Sequence, residues 1–334
     1  MNPKAIALLS GGLDSTLAVR LILDQGIEVE ALNFVTPFCT CNRKGRCEAR
    51  HVAEELDIPW KTIAITEEFF QVIREPRHGY GSGMNPCLDC RILMFSRAKE
   101  RMEEIGAAFV FTGEVLGQRP MSQHRRAMRI IDRESGLDGR VLRPLSARLL
   151  EPTISEKEGF VDREKLLAIQ GRSRKPQMAL AEEYGIADYP CPAGGCLLTD
   201  PGFARRMRDL MRFRPGFDLN DVNLLKVGRH FRLLPGVKVV VGRNEDENHR
   251  LQHLARRGDF FFEVKGCGSP VTLLRGEAGA DEEAEIHLAA AITARYSDAE
   301  GDEVQVHYGT NCAALSEAIL ASPPGGDELT RLRI

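Results

Sequence analysis

IALLSGGLDSTLAVRLI, residues 6–22, decides the fold. The run Ala5–Leu9 is short, continuous and apolar, which suits a strand buried on both faces in a parallel sheet. From Thr16 onward, Leu17, Ala18, Leu21 and Ile22 recur at helical spacing, so a helix packs back on that strand. Between them stand Ser10, Gly11, Gly12, Asp14 and Ser15. Two glycines let the backbone approach a ligand closely, and the free N–H groups of a helix start favour an anion. The layout predicts a phosphate cradle.

Outward from this unit, strand and helix alternate. VEALNFV (29–35) reads as a strand, CEARHVAEEL (47–56) as a helix and WKTIAI (60–65) as a strand. CLDCRILMFSRAKERMEEIG (87–106) reads as a long amphipathic helix with Ile92, Phe95, Ala98, Met102 and Ile105 on one side. AAFVFTGE (107–114) and RVLRPL (140–145) are further strands. Such alternation implies right-handed crossovers and an α/β doubly wound parallel sheet, with the ligand beyond the carboxyl ends of the strands where their order reverses. This domain is expected over residues 1–150, followed by a charged helical extension over 151–217 that carries CPAGGC (191–196). Residues 218–320 turn strand-rich (HFRLLPGVKVVVGRN, DFFFEVKG, SPVTLLRG) before an alanine-rich helix from Glu282, which predicts a smaller α+β domain. Residues 321–334, ASPPGGDELTRLRI without a strong pattern, are expected to be a tail, mobile at its Pro/Gly section.

The chain of 334 residues has 43% hydrophobic and 28% charged residues, an ordinary globular balance. No apolar stretch approaches a membrane span and no signal-peptide pattern opens the chain, so a cytoplasmic, membrane-free protein is expected. In that compartment nine cysteines point to metal, cluster or catalytic roles rather than disulfides. The net charge of −3 leaves nucleic-acid contact to local patches. Two are candidates: arginines 119, 125, 126, 129, 133, 140, 143 and 148, and arginines 205, 206, 208, 212 and 214. Arginine, more than lysine, suits phosphate contact.

SGGLDS lacks the Lys and the spacing of a Walker A loop. It resembles the PP-loop of the ATP pyrophosphatase superfamily, an adenine-nucleotide-alpha-hydrolase-like fold whose members cleave ATP between the α and β phosphates. The resemblance implies that Ser10, Gly11, Gly12 and Ser15 hold pyrophosphate, that Asp14 is catalytic and orients Mg²⁺ or the phosphates, and that Phe34 sits by the adenine. TGEVLGQRPMSQ (112–123) resembles a stretch of 4-thiouridine synthases, which adds Thr112, Gly113 and Gln118 to the nucleotide site.

The cysteines narrow the superfamily. NPCLDC places Cys87 and Cys90 at the head of a helix, whose N-terminus is expected to favour thiolates, and CPAGGC supplies Cys191 and Cys196. Two separated cysteine sites suit either a thiolate cluster cage or a persulfide/disulfide relay. MNPCLDCRILMF resembles the segment of tRNA 2-thiouridylases in which the cysteine matching Cys90 is active. The same pattern resembles thiolation enzymes with a 4Fe–4S cluster on three cysteines, which implies Cys87, Cys90 and Cys191 here, with Cys196 a rival for the third place. CTCNRKGRCEARH adds Cys39, Cys41, Cys47 and His51 as candidate Zn²⁺ ligands, with redox-active or inert thiols as the other readings. His78, His124 and His230 are expected to be ordinary polar residues.

Residues 241–276 (VGRNEDENHRLQHLARRGDFFFEVKGCGSPVTLLRG) resemble the NFACT-R type of RNA-binding domain, implying Arg243, Asn244, Asn248, Lys265 and Gly266 on an RNA-facing surface. Neither a THUMP region nor a rhodanese-like domain is expected, so grip on the substrate and sulfur supply come from elsewhere. Together the resemblances imply an ATP-dependent tRNA sulfurtransferase of the 4-thiouridine or 2-thiouridine type, with catalytic residues Asp14, Cys90 and Cys191. Its partners would be tRNA, a sulfur donor such as a cysteine desulfurase or free sulfide, and a second copy in a homodimer. Another adenylating ligase or amidotransferase, or a non-catalytic ATP-sensing RNA-binding adaptor, are the competing expectations.

Overall fold

The structure, a computed structural model, describes residues 3–40, 42–43, 46–186, 189, 195–276 and 282–334. Cys41 and Cys191, both singled out from the sequence, lie outside the described residues. The chain divides into two compact units, Met1–Thr199 and Asp200–Ile334. The division therefore comes before the helix Pro201–Phe213, not at residue 218.

In the first unit the strands are β1 (Lys4–Leu8), β2 (Glu28–Val35), β3 (Asn42–Arg43), β4 (Arg46–Cys47), β5 (Trp60–Ala64), β6 (Phe109–Thr112) and β7 (Val141–Leu142). The helices are α1 (Leu13–Leu23), α2 (Glu48–Glu55), α3 (Thr66–Arg74), α4 (Cys87–Glu104), α5 (Arg125–Glu134), α6 (Ile154–Lys157) and α7 (Lys175–Glu183). The main sheet runs β5-β2-β1-β6-β7 with every pairing parallel, while β3 and β4 form a small hairpin of their own. The order reverses at β1, so the crevice for a ligand opens after Leu8, between β2 and β6. Alternate residues of β1 enter opposite cores: Ala5 and Ala7 pack with α1 and α2, whereas Ile6 and Leu8 pack with α4. This double burial is why the strand reads as an unbroken apolar run. On α4, Phe95, Ala98 and Met102 are buried in that second core, with Ile92 and Ile105 packed against it.

The second unit contains α8 (Pro201–Phe213), α9 (Leu219–Leu224), β8 (Arg229–Leu234), β9 (Val237–Val241), α10 (Glu245–Leu254), β10 (Phe260–Val264), β11 (Thr272–Arg275), α11 (Glu282–Arg295), β12 (Val304–Gly309), β13 (Glu317–Ala321) and α12 (Gly326–Leu332). Its sheet runs β13-β12-β10-β11-β9-β8, antiparallel throughout. Phe262, Val239 and Val241 face a core shared with α11, where Ala289, Ala290 and Ala294 let the helix backbone lie close. Phe261, Val240 and Leu273 face the opposite way, towards Leu224 of α9 and Leu251 of α10. The segment expected to be a tail carries α12. Leu329 of α12 is buried in the α11 core, Arg333 bridges Phe231, and the Ile334 N–H donates to the His230 carbonyl at 3.0 Å. Its apolar residues are spaced for one helical face, which the flanking prolines and glycines obscure.

Candidate active site

The loop after β1 bends as the glycines demand. Gly11 has φ +75°, and a Cβ there would lie 2.5 Å from the backbone of Glu48, so α2 abuts the loop and admits no side chain. The Ser15 hydroxyl donates to the Gly12 carbonyl at 2.8 Å and lies 3.2 Å from Ser10 Oγ. The Gly12 N–H reaches the Ser10 hydroxyl at 3.4 Å, and Thr16 Oγ1 donates to the Gly12 carbonyl at 3.1 Å. Ser10, Gly12 and Ser15 thus gather polar groups around the N-terminus of α1, as an anion site requires.

Asp14 stands in the first turn of α1. Gln118 Nε2 donates to its Oδ2 at 3.0 Å, and Arg174 stands 3.6 Å from the same oxygen. Among the described residues, neither its buried Oδ1 nor the buried Arg174 Nε has a hydrogen-bond partner. A buried carboxylate oxygen left without a donor is costly unless a ligand completes it. A divalent cation held with phosphates fits Asp14, since hard cations take carboxylate oxygens, and a phosphate oxygen fits Arg174. Arg174, from the segment joining the sheet to α7, was missed in the sequence; only its isolation in the basic stretch GRSRKP pointed to it.

Gly113 has a packing role. A Cβ there would meet the backbone of Asp14 and Ser15 at 2.4 Å, so this glycine lets the TGE turn press on the loop. Thr112 Oγ1 accepts from the Glu114 N–H at 3.2 Å, and Glu114 is buried against Arg143 at 3.0 Å and Arg91 at 3.3 Å. Arg143 also forms a bidentate pair with Asp132. Arg143 is therefore buried and internally paired, which removes it from the expected basic patch. Arg125, Arg126, Arg129 and Arg133 of α5 remain at the surface.

Phe34, at the end of β2, lines a cavity with Ser10, Asn33, Thr36, Cys39, Cys47 and Glu48, beside the loop where adenine was expected. Cys39 and Cys47 thus border the nucleotide cleft. Cys41, one of the four expected zinc ligands, lies outside the described residues, among which no three His, Cys, Asp or Glu side chains form a ligand group; His51 Nε2 lies 3.0 Å from Glu55.

The two cysteine motifs are stitched together by backbone. The Met84 N–H donates to the Leu198 carbonyl at 2.9 Å, and Gly83 packs where a Cβ would lie 2.2 Å from that oxygen. The Leu197 N–H donates to the Phe38 carbonyl at 2.9 Å, and Thr40 exchanges bonds with Gly195. The segments around Cys39, Cys87 and Cys196 therefore converge, just beyond the carboxyl ends of β1 and β2. Asn85 Nδ2 donates to Cys87 Sγ at 3.1 Å, and the buried Asp89 accepts from the Arg77 and His78 N–H groups, which fixes the loop ahead of α4. Arg119 is within electrostatic reach of both Cys87 and Asp14, linking the thiols to the phosphate loop. The expected thiolate at Cys90 is not favoured. Burial pushes its thiol up to about 12; Arg91 opposes the rise, while Cys196, Cys87 and Cys39 add to it. Burial likewise pushes Cys196 up to about 12 against a backbone hydrogen bond from Leu198. Desolvation outweighs the helix start here.

In the second unit Asn244 caps α10 by accepting from the Glu247 N–H at 3.0 Å, and Asn248 Oδ1 accepts from the Val271 N–H at 3.0 Å. A Cβ on Gly242 would sit 2.0 Å from Asn248 Oδ1. The G-R-N-x-x-x-N signature thus has an architectural role, with Asn248 Oδ1 engaged inside the fold. Arg243 pairs with Glu247, and Lys265 is exposed. Arg205, Arg208 and Arg212 lie exposed along one face of α8.

Comparison with known proteins agrees with this division. Residues 1–149 match the family described as thiamine biosynthesis protein (ThiI), and residues 228–332 match the NFACT protein RNA-binding domain. A tRNA-specific 2-thiouridylase from Caldanaerobacter subterraneus subsp. tengcongensis is 30% identical over 128 residues, covering 34% of this chain and 35% of its own. One from Syntrophotalea carbinolica is 33% identical over 121 residues, covering 34% of each. The chain thus spans about a third of the length of these relatives. A solved 4-thiouridine synthetase–RNA complex with bound ATP overlaps 67% of this chain and 52% of its own, at 21% identity and a TM-score of 0.39. Among the described residues, no helix is long and apolar enough to cross a membrane. Two family models thus match separate parts of the chain, the ThiI model over residues 1–149 and the NFACT RNA-binding domain model over residues 228–332.

Proposed function

We propose that this protein is an ATP-dependent tRNA sulfurtransferase that adenylates a base carbonyl oxygen and exchanges it for sulfur. The observation that carries the reading is the convergence of the two cysteine motifs beside the phosphate loop, with Arg119 in reach of both Cys87 and Asp14. The relatives' names supply the substrate class. ATP lies with its β and γ phosphates on Ser10, Gly11, Gly12 and Ser15, and with adenine towards Phe34. The base oxygen attacks the α-phosphorus, the α–β bridge breaks, and pyrophosphate leaves against the N-terminus of α1. A Mg²⁺ ion on Asp14 supplies Lewis-acid stabilisation when bound. Arg174 offsets charge on the departing phosphates, while Gln118 orients Asp14. The adenylated carbon is then open to a sulfur nucleophile, and AMP leaves with the former base oxygen. The target nucleotide must be unstacked, because its carbon has to meet both ATP and sulfur.

Sulfur is carried in the Cys87, Cys90, Cys191 and Cys196 group. A 4Fe–4S cluster would be held by Cys87, Cys90 and Cys191, with Cys196 the rival for the third place; Cys191 lies outside the described residues. The sulfur donor, a cysteine desulfurase or free sulfide, and a homodimer complete the proposal. Mass spectrometry of nucleosides from a strain lacking the protein tests it: one thionucleoside is expected to vanish and to return with the wild-type chain but not with Asp14→Asn. An unchanged thionucleoside profile overturns the reading. Anaerobic purification tests the sulfur carrier separately, since iron with labile sulfide marks a cluster and persulfide on a cysteine peptide marks a relay.

A further inference from the structure

Cys39 and Cys196 face each other across a short antiparallel bridge that no motif of the sequence links. The bonds flanking the pair run from the Thr40 N–H to the Gly195 carbonyl at 3.2 Å and from the Leu197 N–H to the Phe38 carbonyl at 2.9 Å. Bonds on both sides and none between the two residues define a non-hydrogen-bonded pair. In such pairs the Cα atoms lie about 4.5 Å apart and the side chains point to the same side. A disulfide asks for Cα atoms roughly 4.4–6.8 Å apart, so the site accepts one without backbone movement. Both cysteines are in the thiol form and neither is fully buried. Thr36 Oγ1 lies 3.2 Å from Cys39 Sγ, which holds that sulfur by the cleft beside Ser10 and Phe34.

We propose that Cys39 and Cys196 are a reversible redox pair at the rim of the nucleotide cleft. A small-molecule disulfide of the glutathione class is the oxidant. The Cys39 thiolate attacks it, forming a mixed disulfide and releasing one glutathione thiolate. The Cys196 sulfur, giving up its proton to the departing glutathione, then displaces the second, and two protein thiols have become one disulfide while one oxidised glutathione has become two reduced. Excess thiol reverses both steps. The bond pins the segment carrying Thr36 and Cys39 to that carrying Cys196, and it leaves Cys87, Cys90 and Cys191 as the thiols available for sulfur chemistry. The pairing rests on the bridge alone and holds whatever the chain does with ATP.

The test incubates the folded full-length chain with oxidised glutathione, alkylates the remaining thiols in denaturant and maps the peptides by mass spectrometry. The expected result is loss of two thiols per chain, a cross-linked peptide joining Cys39 to Cys196, and full recovery with dithiothreitol. Cys39→Ser and Cys196→Ser are each expected to lose the cross-link and to retain glutathione on the remaining partner. Cys196 linked to any other cysteine, or no linked peptide while the chain stays folded, overturns the proposal.

Discussion

At the residue scale, burial decides which charged groups the fold depends on. Arg143 is held by Asp132 on one side and Glu114 on the other, all three largely out of water. Arg143→Ala strands two carboxylates, and breaking a buried pair by removing one partner costs about 3–5 kcal/mol. Urea unfolding is expected to show that loss, smaller in acid where the stranded carboxylates take up protons; an unchanged midpoint would contradict the network. Lys238 is the reverse case. Burial pushes its ammonium down to about 7, with Asp209 opposing and Arg232, Arg206 and Arg275 assisting. Between about 7 and the ordinary 10.5 the unfolded chain binds a proton that the folded one refuses, so stability rises with pH across that window. Lys238→Met is expected to raise the melting temperature at pH 7 by roughly 4–8 °C, in proportion to about 1 kcal/mol gained, and to flatten the pH slope. A slope that persists in the variant would assign it to another group. Neither residue announced itself in the sequence, because an arginine between distant acids reads like any surface arginine until the fold brings Glu114 and Asp132 to it.

At the scale of elements, the strand–loop–helix at residues 6–22 was fully legible, since apolar periodicity and two glycines are local signals. So was α4, whose apolar stripe matches its buried side. The closing helix α12 was not, because its docking depends on Phe231 and His230, about a hundred residues earlier. Removing residues 326–334 is expected to uncover the α11 core at Leu329 and lower the melting temperature of the second unit; a truncated chain melting like the full one would make the helix dispensable. The exposed arginines of α8 are the counterpart on the surface. Changing Arg205, Arg208 and Arg212 together to Glu should leave the fold intact and weaken tRNA binding. The salt dependence of binding should also become shallower, by about one in log–log slope for each phosphate that is no longer neutralised. Binding that weakens with an unchanged slope would mean those arginines act through shape, not charge.

For the whole molecule, two sheets of opposite construction build two separate units. The central strands β1 and β6 of the parallel sheet are buried while the edge strand β5 is largely exposed, and the strand order reverses at β1, where a ligand crevice is expected. The antiparallel sheet has no such switch point, and its signature residues Gly242, Asn244 and Asn248 turn out to brace its own loops. That is why a phosphate cradle could be expected from local sequence signals, whereas the signature of the second unit marks its fold. Each unit has its own apolar core, which predicts separable unfolding. Calorimetry of the full chain is expected to resolve two transitions. A non-hydrolysable ATP analogue with Mg²⁺ should raise the one belonging to residues 1–199, by about 2.7 kcal/mol at a hundredfold excess over Kd, and leave the other in place. Asp14→Asn should abolish most of that shift without lowering the transition itself, because its unpartnered oxygen serves the ligand and not the fold. A single cooperative transition, or an Asp14→Asn chain that responds to the nucleotide like the wild type, would refute respectively the independence of the units and the assignment of Asp14.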